Sequence, residues 1–276
     1  MKEEKIQSIL ILLGSFFMVG FCLLPFIYML VTSFSSSPDY LSSKVSFGFT
    51  FNNYRSVLGT DSLHFMQYLR NSLLISAISA FFCVFIASLG AYSITRLNLP
   101  HKMGFLFFIL AISMFPQVCL ISYLFKLMTS LGWINTYFAL ILPYIAWILP
   151  LCLWILASYF AQIPAELDKA ALIDGCTPWQ VLYKIILPVS RPGIFSTALL
   201  AFIFAFNEFL FSLILTSDHN ARTIPVGIAL FQGLHGEIPW GNIMAASIIA
   251  VIPILLIIIM FQKNIIQGLT RGAVKG

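Results

Sequence analysis

Asn207 and Glu208 are adjacent polar residues inside a long apolar run, and they are the pair in this chain best suited to chemistry. If the run crosses a membrane, a charged side chain near its centre costs on the order of 3 kcal/mol, so Glu208 is expected to face protein or a water-filled path. A carboxylate beside an amide can bind the hydroxyl groups of a solute. The alternative is a buried hydrogen bond between helices, and the sequence leaves both open.

Gln117 is a further polar residue in an apolar run, and it directly follows Pro116. Proline inside a helix removes one backbone hydrogen bond and leaves carbonyl groups free. The pair Pro116-Gln117 therefore predicts a break in that helix, which either only bends the chain or also exposes Gln117 to a solute. The aromatic residues Trp147, Trp154 and Tyr159 are interpreted as packing residues or interface anchors.

Several kinds of chemistry are excluded by what the apolar runs and the connecting segments lack. No Ser/His, Asp/Asp or His-x-x-x-His arrangement occurs in the runs, so an intramembrane enzyme is not expected. The four histidines have no ligand spacing, and no metal site is predicted. The five cysteines form no paired framework and are expected to be free thiols. Basic residues do not cluster with aromatic ones, which argues against nucleic-acid binding.

The elements that position these residues are predicted from composition. Hydrophobic residues make up 60% of the 276 residues and charged residues 9%, and the mean hydropathy is +0.96. In soluble domains about a quarter of the residues are charged. A helix crosses a bilayer in roughly 20 residues. Six runs of sufficient length predict six transmembrane helices, namely Ile6–Val31, Ser72–Ala91, Gly104–Phe125, Tyr137–Tyr159, Phe195–Leu215 and Ile243–Phe261.

The orientation of the six helices follows from the placement of lysine and arginine, which are more frequent on the cytoplasmic side. Ten of the 15 basic residues lie on the side that holds both termini, and five lie on the other. Both termini, the connection from Arg96 to Lys102 and the segment Pro164–Pro188 are therefore predicted to be cytoplasmic. Two longer segments, Thr32–Asn71 and Ser217–Asn242, lie outside.

The segment Pro164–Pro188 has the sequence signals of two short helices joined by a tight turn. Strong helix formers extend from Ala165 to Ile173, and Asp174-Gly175 stops them, because glycine accepts the left-handed conformation that closes a helix. Thr177, Pro178 and Gln180 then form the pattern of a capping box, so a second helix is predicted to end before Pro188. This insert either only connects two spans or is a surface that a partner in the aqueous phase binds.

Residues of the insert and of the C-terminus resemble one family of membrane proteins. The spacing of Ala170-Ala171, Asp174-Gly175 and Ile185-x-Leu187-Pro188 resembles the EAA signature of the permease subunits of bacterial and archaeal ABC importers. The segment Gly268–Gly276 resembles the C-terminus of the maltose/trehalose-type permeases of the carbohydrate branch. Further segments that resemble this branch are Asn53-Tyr54, Asn71-Ser72-Leu73 and Thr223–Gly227. The resemblance covers nearly the whole chain.

The resemblance implies an all-α membrane protein of the type I ABC importer permease kind, with cytoplasmic coupling helices between spans four and five. It implies a transport subunit without enzymatic activity or bound cofactor, for a di- or oligosaccharide or a small glycoside. The implied partners are a second permease subunit in a heterodimer, two ATPase subunits that hold ATP and magnesium, and an extracytoplasmic solute-binding protein. The absence of a Gly-x-x-x-x-Gly-Lys-Ser/Thr loop in the chain agrees with a separate ATPase.

The organisation expected from this resemblance is an N-terminal span with an extracytoplasmic segment at 1–66, a permease core at 67–263 and a cytoplasmic tail at 264–276. The chain is expected in the cytoplasmic membrane of a bacterium or archaeon. Thr270 and Arg271 in the tail are expected to touch the ATPase. The residues expected to couple to the ATPase are Glu166, Asp168, Lys169, Ala170, Ala171, Asp174, Gly175, Thr177 and Pro178.

Lys169 departs from the family signature, which has glutamate at this position to meet a basic residue of the ATPase. Glu166 or Asp168 is expected to supply the charge instead. One exposed ion pair contributes about 0–1 kcal/mol, so the shape of the insert is expected to matter more. Two alternative functions are a proton-coupled carrier, for which internal repeats and broken helices with paired charges are lacking in the sequence, and an ABC permease for a non-sugar solute.

Overall fold

The computed structural model describes residues 2–36, 48–59, 63–97, 100–231 and 238–273, with the backbone alone for 2–6 and 263–273. Nearly all of these residues are helical, as the sequence predicts, and the only β-structure among them is one bridge between Ser35 and Phe49. The helices are α1 (Lys2–Ser33), α2 (Asn52–Gly59), α3 (Phe65–Arg96), α4 (Lys102–Ser113), α5 (Gln117–Ser130), α6 (Tyr137–Ala161), α7 (Ala165–Ile173), α8 (Pro178–Val181), α9 (Leu187–Val189), α10 (Arg191–Phe206), α11 (Leu210–Leu215), α12 (Ile224–Ala229) and α13 (Trp240–Ala273).

Four helices of the described chain, namely α1, α3, α6 and α13, are each long and apolar enough to cross a membrane, and two bent pairs would bring the number of spans to six. The first pair consists of α4 and α5, which meet at 81°. Its break lies at Pro116, which precedes the first residue of α5, where the sequence predicts one. The second pair joins Pro178–Val189 to Arg191–Phe206 at 80°.

The fifth span differs from the continuous helix predicted for Phe195–Leu215. Helix α10 ends at Phe206, and the short helix α11 begins only at Leu210. No proline or glycine occurs at this break. The side chains of Asn207 and Glu208 instead form hydrogen bonds with backbone groups that the break leaves without helical partners. The expectation of one continuous helix over this span is therefore wrong at Asn207.

One of two compact units comprises Met66–Gly227 and Pro253–Gly276, and α6 is its central helix. Buried side chains occur along the whole of α6, and α4 and α10 both pack against it. Helix α3 buries a row of small side chains at helical spacing, which are Ser72, Ser76, Ala80, Cys83, Ala87 and Ala91. Small residues let helices approach closely where lipid supplies no hydrophobic drive for association.

The N-terminal end of α3 holds the segment that follows α11. The Asn71 side chain donates to the carbonyls of His219 and Arg222, at 3.0 Å each. The Ile224 N–H donates to the Ser72 hydroxyl at 2.7 Å. A Cβ added to Gly227 would lie 2.2 Å from the Tyr68 ring, so only glycine allows this close approach. The segments Asn71-Ser72-Leu73 and Thr223–Gly227, which carry part of the family resemblance, are thus in contact.

The other unit comprises Met1–Phe65 and Ile228–Ile252. None of the most apolar part of α1 is buried within the chain, as expected for side chains that face lipid or another protein. The end of α1 is fixed by Asn53, whose amide donates to the carbonyls of Ser33 and Ser35 at 2.8 and 2.9 Å. The Tyr54 hydroxyl bonds the Ser33 hydroxyl at 2.7 Å.

Candidate functional site

The insert Pro164–Pro188 begins with α7, whose bounds Ala165–Ile173 agree with the sequence prediction. The helix ends in a Schellman turn, in which Cys176 N–H donates to Ala171 O at 2.9 Å and Gly175 N–H donates to Leu172 O at 3.1 Å. Gly175 has a φ of +82°. This left-handed conformation is the reason for glycine at the turn.

Helix α8 starts with the predicted capping box. Gln180 N–H donates to the Thr177 hydroxyl at 3.3 Å, and Thr177 N–H donates to the Gln180 side chain at 2.8 Å. Pro178 occupies the first helical position, where no intrahelical donor is required. Two backbone N–H groups at the helix start are therefore satisfied by side-chain oxygens of the same motif.

The second helix of the insert does not end before Pro188, contrary to the sequence prediction. It continues from α8 through a π-helical turn at Leu182–Ile186 into α9, which contains Pro188. Leu187 N–H donates to Leu182 O, five residues back. The wider turn accommodates a proline that lacks an N–H and would clash with the carbonyl four residues earlier in an α-helix. The direction of the chain changes only at Ser190.

Exposed apolar side chains surround the turn of the insert. Ile173 is 85% exposed, and Leu172 and Trp179 are also exposed. Large apolar groups next to a polar turn are typical of a surface that another protein covers. The Leu172-Ile173 pair was not among the residues expected to couple to the ATPase, although two large aliphatic residues directly before Asp-Gly are a readable signal.

The predicted coupling residues divide into two groups. Two face the chain itself, because Ala171 is buried and Asp168 forms an ion pair with Arg96 at 2.6 Å between Oδ2 and Nε. Asp168 is therefore not an exposed charge, and of the two substitutes considered for the family glutamate only Glu166 remains. The exposed group consists of Glu166, Lys169, Ala170, Asp174, Gly175, Thr177 and Pro178. Thr270 and Arg271 lie in α13, in the part of this helix for which only the backbone is described.

A cleft inside the helical bundle brings together the three residues predicted for a solute path. Gln117, Asn207 and Glu208 line one cavity of about 490 Å³, together with the aromatic residues Tyr144 and Trp147. Gln117 is the first residue of α5, so the helix break at Pro116 and the helix break at Asn207 lie at the same cavity. Trp147, interpreted from its sequence context as a packing residue or an interface anchor, thus lines the cavity, and no sequence pattern pointed to Tyr144.

Glu208 has a structural role in this cleft. Its two carboxylate oxygens accept hydrogen bonds from the N–H groups of Phe211 and Ser212, at 2.8 and 3.2 Å. These donors belong to the first turn of α11, where a negative charge is favoured. Asn207 donates to the Ile203 carbonyl at 2.8 Å, and its side chain remains exposed in the cleft. The charge at Glu208 thus stabilises the start of α11 within one chain.

Tyr144 places an unpaired hydroxyl beside this carboxylate. The side chain is 1% exposed, and its hydroxyl lies close to Glu208 and Thr223. Among the described residues, it makes no hydrogen bond of standard geometry. Because the Tyr144 hydroxyl is buried and both oxygens of Glu208 accept backbone N–H groups, Asn207 is the polar lining residue whose side chain is exposed in the cleft.

Comparisons with known proteins agree with this architecture. The chain is 52% identical over 277 residues to the trehalose/maltose transport system permease protein of Thermococcus litoralis, with full coverage of both chains. It is 39% identical to the trehalose transport system permease protein of Mycobacterium tuberculosis, over 94% of each chain. The fold matches a subunit of a bacterial ABC transporter involved in the import of the acidic polysaccharide alginate, with a TM-score of 0.78, 20% identity, and 96% and 98% coverage.

A family model covers the part of the chain that includes the insert and the cleft. The model describes the inner membrane component of binding-protein-dependent transport systems, and it matches residues 84–271. The match extends from the middle of α3 to the end of α13, and the relatives extend it to the whole chain. The chain belongs to the family of binding-protein-dependent transport system inner membrane components.

Proposed function

We propose that this chain is one permease subunit of an ATP-driven ABC importer for a disaccharide or oligosaccharide such as trehalose or maltose. The sugar class is supported by the 52% identity to a trehalose/maltose permease over the full length of both chains. The chain itself supplies a route across the cytoplasmic membrane and no phosphate loop. ATP and magnesium are bound by two partner ATPase subunits, and neither is bound here.

The observation that carries this proposal is the exposed two-helix insert. Ile173 protrudes beside a rigid glycine turn, and Leu172 and Trp179 extend the apolar surface around it. An ATPase subunit covers this surface, and Glu166 supplies the acidic contact in place of Lys169. When ATP draws the two ATPase subunits together, the insert moves with them and the spans change between inward-facing and outward-facing arrangements.

The remaining partners are a second permease subunit and an extracytoplasmic solute-binding protein. A solved structure with a similar fold, at a TM-score of 0.69, belongs to an alginate ABC transporter in complex with a periplasmic protein that holds an alginate pentasaccharide. In this chain the outer segment held by Asn71 and Ser72 is the surface proposed for a binding protein. Both termini and the insert lie in the cytoplasm.

The test is uptake by the whole complex reconstituted in liposomes with its partner permease, ATPases and binding protein. ATP-dependent uptake of radiolabelled trehalose or maltose that vanadate blocks is the expected result, with an amino acid and phosphate as control solutes. Uptake of only a control solute would overturn the sugar assignment. Uptake that a proton ionophore blocks and vanadate does not would favour a proton-coupled carrier, although both oxygens of Glu208 are occupied by backbone donors.

A further inference from the structure

Arg96 is the last residue of α3 and makes two contacts with the start of the insert. Its Nη2 atom donates to the Ile163 carbonyl at 2.9 Å, and its Nε atom lies 2.6 Å from Oδ2 of Asp168. Ile163 precedes α7, and Asp168 lies in the first turn of α7. The guanidinium group therefore holds both the entry of the insert and its first helix.

Tyr92 adds a second attachment from the same side of α3. Its hydroxyl donates to the Pro178 carbonyl at 3.1 Å, and Pro178 is the first residue of α8. Residues four apart on a helix lie on one face, so Tyr92 and Arg96 project from α3 in the same direction. Each of the two insert helices is thus attached to α3, although the insert is joined covalently to α6 and α10.

The burial of the ion pair distinguishes Arg96 from a residue that only sets the membrane orientation. The Arg96 and Asp168 side chains are 11% and 13% exposed, whereas a topological arginine extends its charge into water. Burial raises the pKa of the Asp168 carboxyl, and the Arg96 guanidinium opposes this rise. Loss of the arginine would leave a largely buried carboxylate without its partner.

Helix α3 connects this attachment to the opposite face of the membrane. It comprises 32 residues without proline, which corresponds to about 48 Å at 1.5 Å per residue. Its other end carries Asn71 and Ser72, which hold the outer segment at His219, Arg222 and Ile224. A shift of the insert that moves α3 along its length therefore reaches the outer segment through hydrogen bonds present at both ends.

We propose that Arg96 is a positioning residue that fastens the insert to α3, so that displacement of the insert by an ATPase subunit moves the second span. The inference rests on the proposed function and adds a defined route for the movement. The guanidinium group donates a hydrogen bond to the Ile163 carbonyl and keeps its Nε in charge contact with Asp168, and the compact ammonium group of a lysine is not shaped to make both contacts. The route passes through Asp168, so the charge at this residue is part of the prediction.

The test compares Arg96→Gln, Asp168→Asn and the charge swap Arg96→Asp/Asp168→Arg in the complete reconstituted complex. Arg70→Gln is the matched control, because Arg70 is an exposed arginine near the other end of the same helix. The readout is the number of sugar molecules transported per ATP hydrolysed, with trehalose as the probe. This ratio is measured only in complexes that retain all subunits, so a loss of folding does not affect it.

Each single variant is expected to hydrolyse ATP while the transport ratio falls about tenfold, a typical size for coupling between sites. The charge swap is expected to recover part of the ratio, because it restores the ion pair but not the hydrogen bond to the Ile163 carbonyl, and Arg70→Gln is expected to leave the ratio unchanged. If Arg96→Gln does not assemble, Arg96→Lys replaces it, with a reduced ratio expected. An unchanged ratio in the assembled Arg96 variant, or an assembled swap that stays uncoupled, overturns the inference. If the proposed function is wrong, the unsubstituted complex itself does not transport the sugar, and this result distinguishes that failure from failure of the inference about Arg96.

Discussion

At Gly175 the conformation of the backbone, and not the surrounding space, determines which residue the turn accepts. A Cβ atom added there would meet nothing within 4 Å, but φ is +82°. A side chain in the left-handed region costs roughly 1–2 kcal/mol, and a β-branched one is the least suited to it, whereas asparagine is tolerated. The identity of this residue was readable from the sequence because the turn is made of near neighbours.

The expected result of Gly175→Val is a complex that still hydrolyses ATP but transports little sugar, because the turn opens and Ile173 leaves its position. Gly175→Asn, which accepts the left-handed conformation, is expected to retain more transport than Gly175→Val. The measurement is uptake and ATP hydrolysis in the same liposomes. Equal uptake by the valine and asparagine variants would contradict the assigned role of the backbone.

Arg96 shows which residues the sequence could not assign. The capping box of Thr177 and Gln180 lies within four residues, so its pattern is sufficient to predict it. Arg96 and Asp168 lie on α3 and α7, and no local pattern shows that these helices meet. The same holds for Asp168, which was expected to be available to a partner and instead contacts its own chain. Long-range contacts of single polar side chains depend on tertiary packing.

At the scale of elements, the break between α10 and α11 is the feature that the sequence did not predict. Apolar composition indicates that a segment enters the membrane, but a helix stop without proline or glycine depends on side chains that satisfy the free backbone groups. The Asn207 side chain donates a hydrogen bond to a carbonyl at the end of α10, and the Glu208 side chain accepts one from an N–H group at the start of α11. The sequence left open whether the two residues bind a solute or form a buried hydrogen bond between helices, and their contacts show that each satisfies a different helix end.

Substitution of Glu208 and of Asn207 is therefore expected to have different consequences. Glu208→Ala removes two charge-assisted hydrogen bonds at the start of α11 and is expected to destabilise the fold by about 2 kcal/mol. Asn207→Ala removes one bond of an exposed amide, so a smaller loss of stability with a change in the sugar concentration for half-maximal uptake is expected. Thermal unfolding of the complex in nanodiscs and uptake kinetics measure the two effects.

Glu208→Gln provides the control, since it keeps one carbonyl acceptor and is expected to lie between glutamate and alanine in stability. A Glu208→Ala complex with unchanged thermal stability and weakened sugar affinity would reverse the assignment, and would return this carboxylate to direct contact with the solute.

At the scale of the whole molecule, composition and the placement of charges carried most of the prediction. Continuous apolar helices were predicted correctly for α1, α3, α6 and α13, because a helix that crosses the bilayer needs a minimum length of apolar residues. The two long connecting segments contain short helices, α2 and α12, whose presence depends on contacts such as Asn53 with Ser33. The orientation rests on the distribution of lysine and arginine and is testable through the cysteines.

Cys176 is the only one of the five cysteines that is expected to react with a membrane-impermeant maleimide in the native membrane. Cys83 and Cys152 are fully buried, and Cys22 and Cys119 lie in spans, where lipid or a partner helix covers them. Cys176 follows the glycine turn of the exposed insert, so a cytoplasmic insert predicts labelling in inside-out vesicles and none in right-side-out vesicles. Bound ATPase subunits are expected to reduce this labelling, because they cover the turn. Cys176→Ser should abolish it, and labelling from the outside would show that the orientation derived from the basic residues is reversed.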